Sequence, residues 1–334
     1  MENKRLEQLI QPSLLSFLFP VAVISLLWFV GSVFLPESLW SVSFSGSIDQ
    51  IISENYSFAS EFTTLIAWAI YLFVGIMLVQ LNDRFMLISR RTMLPLVFFL
   101  LLTSTNVNLY IFSLSQISLS FILLAFFLLL STYRRQDMTV TYFLMGMALS
   151  IAVLLTSEFV FLLPLYVIAM FQLNAFSFRS LLAFLTGLVA LPYIIVTLIY
   201  CFASPGTLSV YLSQYFSSVS FSVPNYDWNF VKVIFYSSVF AVTIFALLLA
   251  MRRANYDNEK SRCFYAVVRN FFLVSVLFLF FLGDKLTHVY PLAVLFASII
   301  LAHYFSTNFT ILKRSLFWLV VISSFLYFLH ALLF

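Results

Sequence analysis

Uncharged apolar runs of membrane-spanning length recur along the whole sequence. The first covers residues 13–34 and contains no charged side chain. A helix needs about 20 apolar residues to cross a bilayer core of about 30 Å. The chain is 63% hydrophobic and only 9% charged, whereas soluble proteins carry about 25% charged residues. The sequence therefore excludes a water-soluble protein and predicts an all-α polytopic transmembrane helix bundle.

Eleven apolar segments are predicted, at 13–34, 62–82, 92–104, 110–131, 138–156, 159–173, 180–203, 230–251, 264–283, 289–305 and 315–334. The first is too long for the apolar region of a cleavable signal, so we expect it to be retained. No polar stretch is long enough for a soluble domain, and we expect residues 1–334 to form a single integral membrane domain. Its main connections are a first outer loop at 36–61 with an interfacial helix, an aromatic outer loop at 203–229 and a basic inner loop at 252–263.

Basic residues predict the orientation of the chain. If the N-terminus is cytoplasmic, 15 of the 17 Lys and Arg residues fall on the inner side, at positions 4, 5, 84, 90, 91, 134, 135, 179, 252, 253, 260, 262, 269, 313 and 314. Only Lys232 and Lys285 fall outside. Because Lys and Arg accumulate in cytoplasmic loops, this division predicts a cytoplasmic N-terminus and an external C-terminus. Cys201 and Cys263 then lie on opposite faces and cannot pair within one chain.

Two predicted hairpins each contain an arm that is too short to span the bilayer as a regular helix. Met93–Thr103 extends only about 16 Å as a helix, and a polar turn at 103–108 follows it. Non-helical backbone at membrane depth is tolerated where protein buries it or water reaches it. We therefore expect an outward-facing cavity floored by this turn. The alternative is a hairpin whose polar side chains satisfy one another between helices.

The second short hairpin, 138–158 with 159–173, turns at Thr156-Ser157-Glu158. Its polar tip and that of the first hairpin predict a shared vestibule, with Glu158 as a supporting residue. Gly146 and Ser150 place small side chains on one helix face, which allows close packing against a neighbouring helix.

Carboxylates of the first outer loop are candidates for a general base. Asp49 and Glu54 are interleaved with apolar residues on a segment expected to lie on the membrane. A carboxylate at an apolar rim can accept a proton because desolvation raises its pKa. The alternative is the solvated face of an interfacial helix.

The segment 283–291 (GDKLTHVYP) is the strongest candidate for ligand binding. It combines Asp284, Lys285 and His288 within five residues at an expected outer helix junction. Lys and His there can hold a lipid phosphate by charge and hydrogen bonding, with Asp284 orienting either one. The alternative is an Asp284–Lys285 pair that ends a helix. The remaining histidines, His303 and His330, are expected to be interfacial.

No cofactor or metal site is predicted, because the sequence lacks CxxC, CxxH, HExxH, GxxxxGK and GxGxxG spacings. Its basic residues are not clustered as a nucleic-acid footprint. Membrane lipids are the expected partners, and the inner arginines are expected to face anionic lipid.

Three segments resemble an uncharacterised family of Bacteroidetes polytopic inner-membrane proteins, a domain of unknown function. They are QLNDRFMLISRRTMLPLVFFLLLTST at 80–105, the stretch 142–194, and THVYPLAVLFASIILAHYF at 287–305. The likeness implies a bacterial inner membrane location, in which the external C-terminus predicted from the basic residues would be periplasmic. It supplies no catalytic residues.

The layout also resembles the C-type (GT-C) glycosyltransferase fold, whose members transfer sugars from polyprenyl-phosphate carriers at the outer face. The shared features are an amphipathic first outer loop, short broken hairpins after it, and a Lys-x-x-His before Tyr290-Pro291. This resemblance implies that Lys285 and His288 hold the carrier phosphate and that Asp49 or Glu54 is the base. Here those acids stand apart rather than as a pair directly after the first helix, and there is no soluble outer domain.

Two other functions remain open from the sequence. One is a non-catalytic membrane subunit of an envelope assembly, bound to a membrane protein partner. The other is a lipid or small-solute transporter, which requires polar groups at mid-depth that are reachable from both sides. The sequence offers few such groups on the inner half.

Overall fold

The structure is a computed structural model that describes residues 14–33, 60–88, 91–135, 137–202, 230–253, 259–281, 286–306 and 310–333. Within these ranges the chain is helical and has no strand. Its α-helices there are α1 Leu14–Val33, α2 Ser60–Phe85, α3 Leu94–Ser104, α4 Leu114–Ser131, α5 Thr139–Leu155, α6 Leu163–Gln172, α7 Phe178–Phe202, α8 Phe230–Arg253, α9 Glu259–Phe281, α10 Leu286–Ser306 and α11 Ile311–Leu333. Short 3-10 helices at Val107–Leu109 and Ser157–Leu162 precede α4 and α6.

Seven of the helices in the described ranges are long and apolar enough to cross a membrane, namely α2, α4 and α7 to α11. The chain is therefore an integral, multi-pass membrane protein, as its apolar runs predict. Shorter apolar helices occupy the described parts of the other four segments. Each predicted segment coincides with one helix, while the number of segments that cross the membrane stays a prediction.

The described helices fall into two compact units. The first unit contains α1 to α3 and α8 to α11, and the second contains α4 to α7. The expectation of a single membrane domain stays a prediction.

Helix α10 is the centre of the first unit. It packs against α3, α8 and α9, and 94% of its most apolar stretch, His288–Ser306, is buried. Helix α3 in turn packs on α1, α2 and α10. The start of α10 and the end of α3 are therefore both held by neighbours inside one compact body.

Helix α5 packs between α4 and α7 in the second unit, and two glycines allow its close approach to α7. A Cβ atom on Gly146 would collide with the backbone of Phe184 and Leu188. A Cβ atom on Gly187 would collide with the backbone of Phe143 from the opposite direction. The expectation that small residues let this hairpin pack closely is confirmed at Gly146.

Candidate functional site

Helix α3 ends within the first unit, and hydroxyl groups satisfy its last carbonyls. The Leu102 carbonyl accepts hydrogen bonds from Tyr290 Oη at 2.9 Å and from Thr105 Oγ1 at 2.7 Å. The Ser104 carbonyl accepts one from Tyr110 Oη at 2.6 Å. Because the last four carbonyls of a helix lack intrahelical donors, these side chains replace the missing bonds. They allow α3 to stop after three turns without exposing bare carbonyls to an apolar surrounding.

The ring of Tyr290 belongs to a cluster of aromatic side chains. Tyr236 of α8 lies edge-on to Tyr290, with ring centroids 5.7 Å apart, and Tyr327 of α11 lies 5.8 Å from Tyr236. Phe235 stacks on Tyr327 at 4.5 Å. Helices α8, α10 and α11 thus meet at one cluster, which we call the tyrosine cluster: Tyr236, Tyr290 and Tyr327. Tyr290 links this cluster to α3 through its hydrogen bond to Leu102.

Tyr110 anchors the other side of the α3 turn. Its ring lies 4.2 Å from Trp28 of α1, centroid to centroid. Gly31 gives the ring its space, since a Cβ atom on Gly31 would collide with Cε2 of Tyr110. The polar turn is therefore fixed from α1 as well as from α10.

His288 is the only one of the 284–288 candidates that lies within the described residues. It occupies the first turn of α10 and is only 7% exposed. Tyr290, two residues later, holds that turn against α3. Pro291 is inside the helix and has no N–H, so the carbonyl of Thr287 loses its helical donor. The turn that carries His288 thus holds a buried imidazole next to the Thr287 carbonyl, which lacks its helical donor.

The remaining candidates of the outer face lie outside the described residues. They are Asp49 and Glu54 of the first outer loop and Asp284 and Lys285 before α10. The aromatic loop at 203–229 lies outside them as well. The predicted convergence of these groups with His288 stays a prediction.

Glu158 lies in the second unit, in the first turn of the 3-10 helix Ser157–Leu162, and is 5% exposed. Next to it, Ser118 Oγ and Thr156 Oγ1 are 2.7 Å apart and share a hydrogen bond. The predicted turn at 156–158 is therefore a buried polar break between α5 and α6. An ionisable group buried in a membrane helix bundle is a candidate for function.

The hydrogen bonds at the α3 turn fit the second of the two interpretations of the short hairpins, in which polar groups satisfy one another. Thr103, Ser104 and Thr105 are all buried, and their hydroxyls donate to carbonyls of the preceding helical turn. The open cavity and the shared vestibule stay predictions.

Sequence reasoning missed the roles of Tyr110 and Tyr290. Tyr290 belongs to the quoted GDKLTHVYP segment, but nothing in the sequence pattern connects it to Leu102. A signal does exist in retrospect: a helix of 11 residues needs partners for its last carbonyls, and tyrosine hydroxyls supply them across a helix interface.

Comparison of the chain with protein-family models, with curated proteins and with solved structures gave no match.

Proposed function

We propose that this integral membrane protein acts on a polyprenyl-phosphate-linked substrate at the outer membrane face, in the manner of the C-type glycosyltransferases. The observation that carries the proposal is the fixed position of the His288–Tyr290 turn against the broken end of α3. A phosphate site requires donors held in place before the ligand arrives. The Tyr290 hydrogen bond provides that rigidity, and Tyr290 follows Lys285 by five residues in the sequence.

In this proposal Lys285 and His288 bind the carrier phosphate. Lys supplies a point charge and His a directed hydrogen bond, while Asp284 orients one of them. The low exposure of His288, 7%, favours the role because a desolvated donor interacts more strongly with an anion.

In the sugar-transfer step, Asp49 or Glu54 acts as the general base. The carboxylate removes the proton of an acceptor hydroxyl, whose oxygen forms the new bond to the sugar carbon. The bond between that carbon and the phosphate oxygen breaks, and the electron pair remains on the phosphate. Lys285 and His288 stabilise the charge that develops there. Glu158 is a supporting candidate.

The cellular setting is part of the same proposal. It comprises the bacterial inner membrane, eleven spans with a cytoplasmic N-terminus and a periplasmic C-terminus, and membership of the uncharacterised Bacteroidetes family. The division of basic residues along the chain supports the orientation.

The test is binding of a short-chain polyprenyl phosphate to the full chain in nanodiscs. Lys285→Ala is expected to raise the Kd about tenfold, the range for losing one charge-assisted hydrogen bond. Lys232→Ala is the matched control, because it removes the other cation predicted on the outer face, and it is expected to leave the Kd unchanged. Unchanged binding in Lys285→Ala would remove the carrier hypothesis.

A second measurement separates an enzyme from a non-catalytic subunit. With a radiolabelled polyprenyl-phosphate sugar, Asp49→Asn or Glu54→Gln is expected to abolish transfer and to preserve carrier binding. Carrier binding without transfer in the wild-type protein would favour the subunit instead.

A further inference from the structure

A cavity of about 170 Å³ lies in the first unit, at the end opposite to His288. Five residues of α9 line one wall of it: Ser261, Arg262, Tyr265, Ala266 and Arg269. His303 of α10 lines the facing wall, and apolar side chains of α8 and the segment after α2 complete it. A water molecule takes up about 30 Å³ in the liquid, so the space suits a group the size of a phosphate with its oxygens.

The polar residues of this cavity share one helix face. Arg262, Tyr265 and Arg269 are separated by three and four residues, and side chains with that spacing stack along a helix. The described residues that line the space include two guanidinium groups, a phenol, an imidazole and a hydroxyl, and none of them is acidic. The lining therefore presents hydrogen-bond donors and positive charge.

Tyr265, one of the residues that line the cavity, carries a hydroxyl group without a hydrogen-bond partner in the described part of the chain. Its hydroxyl is buried and has no hydrogen-bond partner among the described residues. Its ring lies against His303, with centroids 5.0 Å apart. Since buried hydroxyls in proteins are almost always hydrogen-bonded, this one calls for an acceptor supplied by a ligand.

Arg269 lies well inside the helix rather than at its end. It is half-buried, and its Nε donates to Asn270 Oδ1 at 3.3 Å. The guanidinium has five N–H donors, and this bond uses one of them. Ionisable residues within membrane helices mark binding sites and pathways more often than anchors, which distinguishes Arg269 from the exposed Arg262 at the rim.

We propose that this cavity binds the phosphate of an anionic ligand, supplied by a lipid headgroup at the membrane surface that the charge pattern predicts to be cytoplasmic. Arg262 and Arg269 grip the phosphate oxygens as forked donors, and Tyr265 donates to a third. Basic pockets between membrane helices on the cytoplasmic side suit anionic headgroups. The site is independent of the proposed function, because His288 and His303 are about 22 Å apart along α10 at 1.5 Å per residue.

The test measures binding of short-chain phosphatidylglycerol to the full chain in neutral detergent by native mass spectrometry. Arg269→Gln is expected to weaken binding about tenfold, as for a lost charge-assisted hydrogen bond. Tyr265→Phe removes only the hydroxyl and is expected to weaken it severalfold. Arg179→Gln is the matched control, because Arg179 is an exposed inner-side arginine of the second unit, and it is expected to bind as the wild type does.

Equal weakening in Arg269→Gln and Arg179→Gln would show attraction to surface charge alone and would overturn the site. If Arg269→Gln does not fold, Tyr265→Phe decides, and wild-type binding by that variant overturns the proposal. Adding inorganic phosphate to the same titration distinguishes a lipid headgroup from a soluble phosphate as the ligand. Displacement of the lipid by millimolar phosphate assigns a soluble phosphate ligand, and its failure to displace assigns the lipid headgroup.

Discussion

Tyr290 and Leu102 lie 188 positions apart in the chain and are joined by a hydrogen bond of 2.9 Å from the phenol to the carbonyl. The bond connects the start of the central helix α10 to the end of α3, a helix of only 11 residues.

Replacing Tyr290 by Phe removes this donor and keeps the ring in the tyrosine cluster. The Leu102 carbonyl retains Thr105 as a partner, so we expect a loss of about 1 kcal/mol in the free energy of unfolding, the usual net value of a neutral hydrogen bond. Thermal unfolding in detergent measures it. Tyr193→Phe is the control, because Tyr193 is 69% exposed. Equal unfolding midpoints for wild type and Tyr290→Phe would contradict a stabilising role for the bond.

Replacing Gly146 by Ala pushes a methyl group into the backbone of α7. The added Cβ would collide with backbone atoms of Phe184 and Leu188, which cannot rotate away, so α5 and α7 must separate. Overpacking of this kind costs about 1–3 kcal/mol.

Gly75→Ala is the matched control for that variant. Its Cβ would meet Cγ of Leu96 at 3.3 Å, and a side chain can shift where backbone cannot. The thermal unfolding midpoint of Gly146→Ala is expected to lie well below that of Gly75→Ala. The reverse order would show that the close approach of α5 and α7 is not what stabilises the second unit.

The two free thiols test the predicted orientation. Cys201 is exposed near the end of α7, and Cys263 is partly exposed in the first turns of α9. In spheroplasts, a membrane-impermeant maleimide is expected to label the Cys263→Ser variant, whose remaining thiol is Cys201. It is expected to label the Cys201→Ser variant, whose remaining thiol is Cys263, only after lysis. Helices α7 and α9 would then begin on the same side, as the positive-inside division predicts.

A reporter fused after Phe334 complements the thiol experiment and is expected to read as external. The opposite thiol pattern would contradict the predicted orientation. An internal reporter together with the expected thiol pattern would contradict the eleven-span arrangement.

The positions of the helices were predictable because each depends on a local property. An apolar run of sufficient length folds as a helix in a membrane wherever it occurs. The ends were less predictable. Helices α8 and α9 reach Arg253 and Glu259, into the range expected to form the basic inner loop, because Lys, Arg and Glu are good helix formers and extend a helix beyond its apolar core.

The candidate site was predictable only in part. Residue chemistry alone singled out His288 and the polar turn after α3. The pairing of Tyr290 with Leu102 was not predictable, because no repeat or spacing encodes a contact between distant segments. The expectation that His303 is interfacial stays a prediction. Its place in a cavity with Tyr265 and Arg269 was not predictable, because the residues that enclose it come from helices elsewhere in the chain.

The burial of α10 has a consequence for how the protein responds to different bilayers. A helix that touches lipid tilts or stretches its surroundings when the membrane thickness changes. Helix α10 is buried along 94% of its apolar stretch, so the helices around it, rather than α10, adjust to a change in membrane thickness. We therefore expect the distance between His288 and His303 to be set by the protein alone and to be the same in thin and thick membranes.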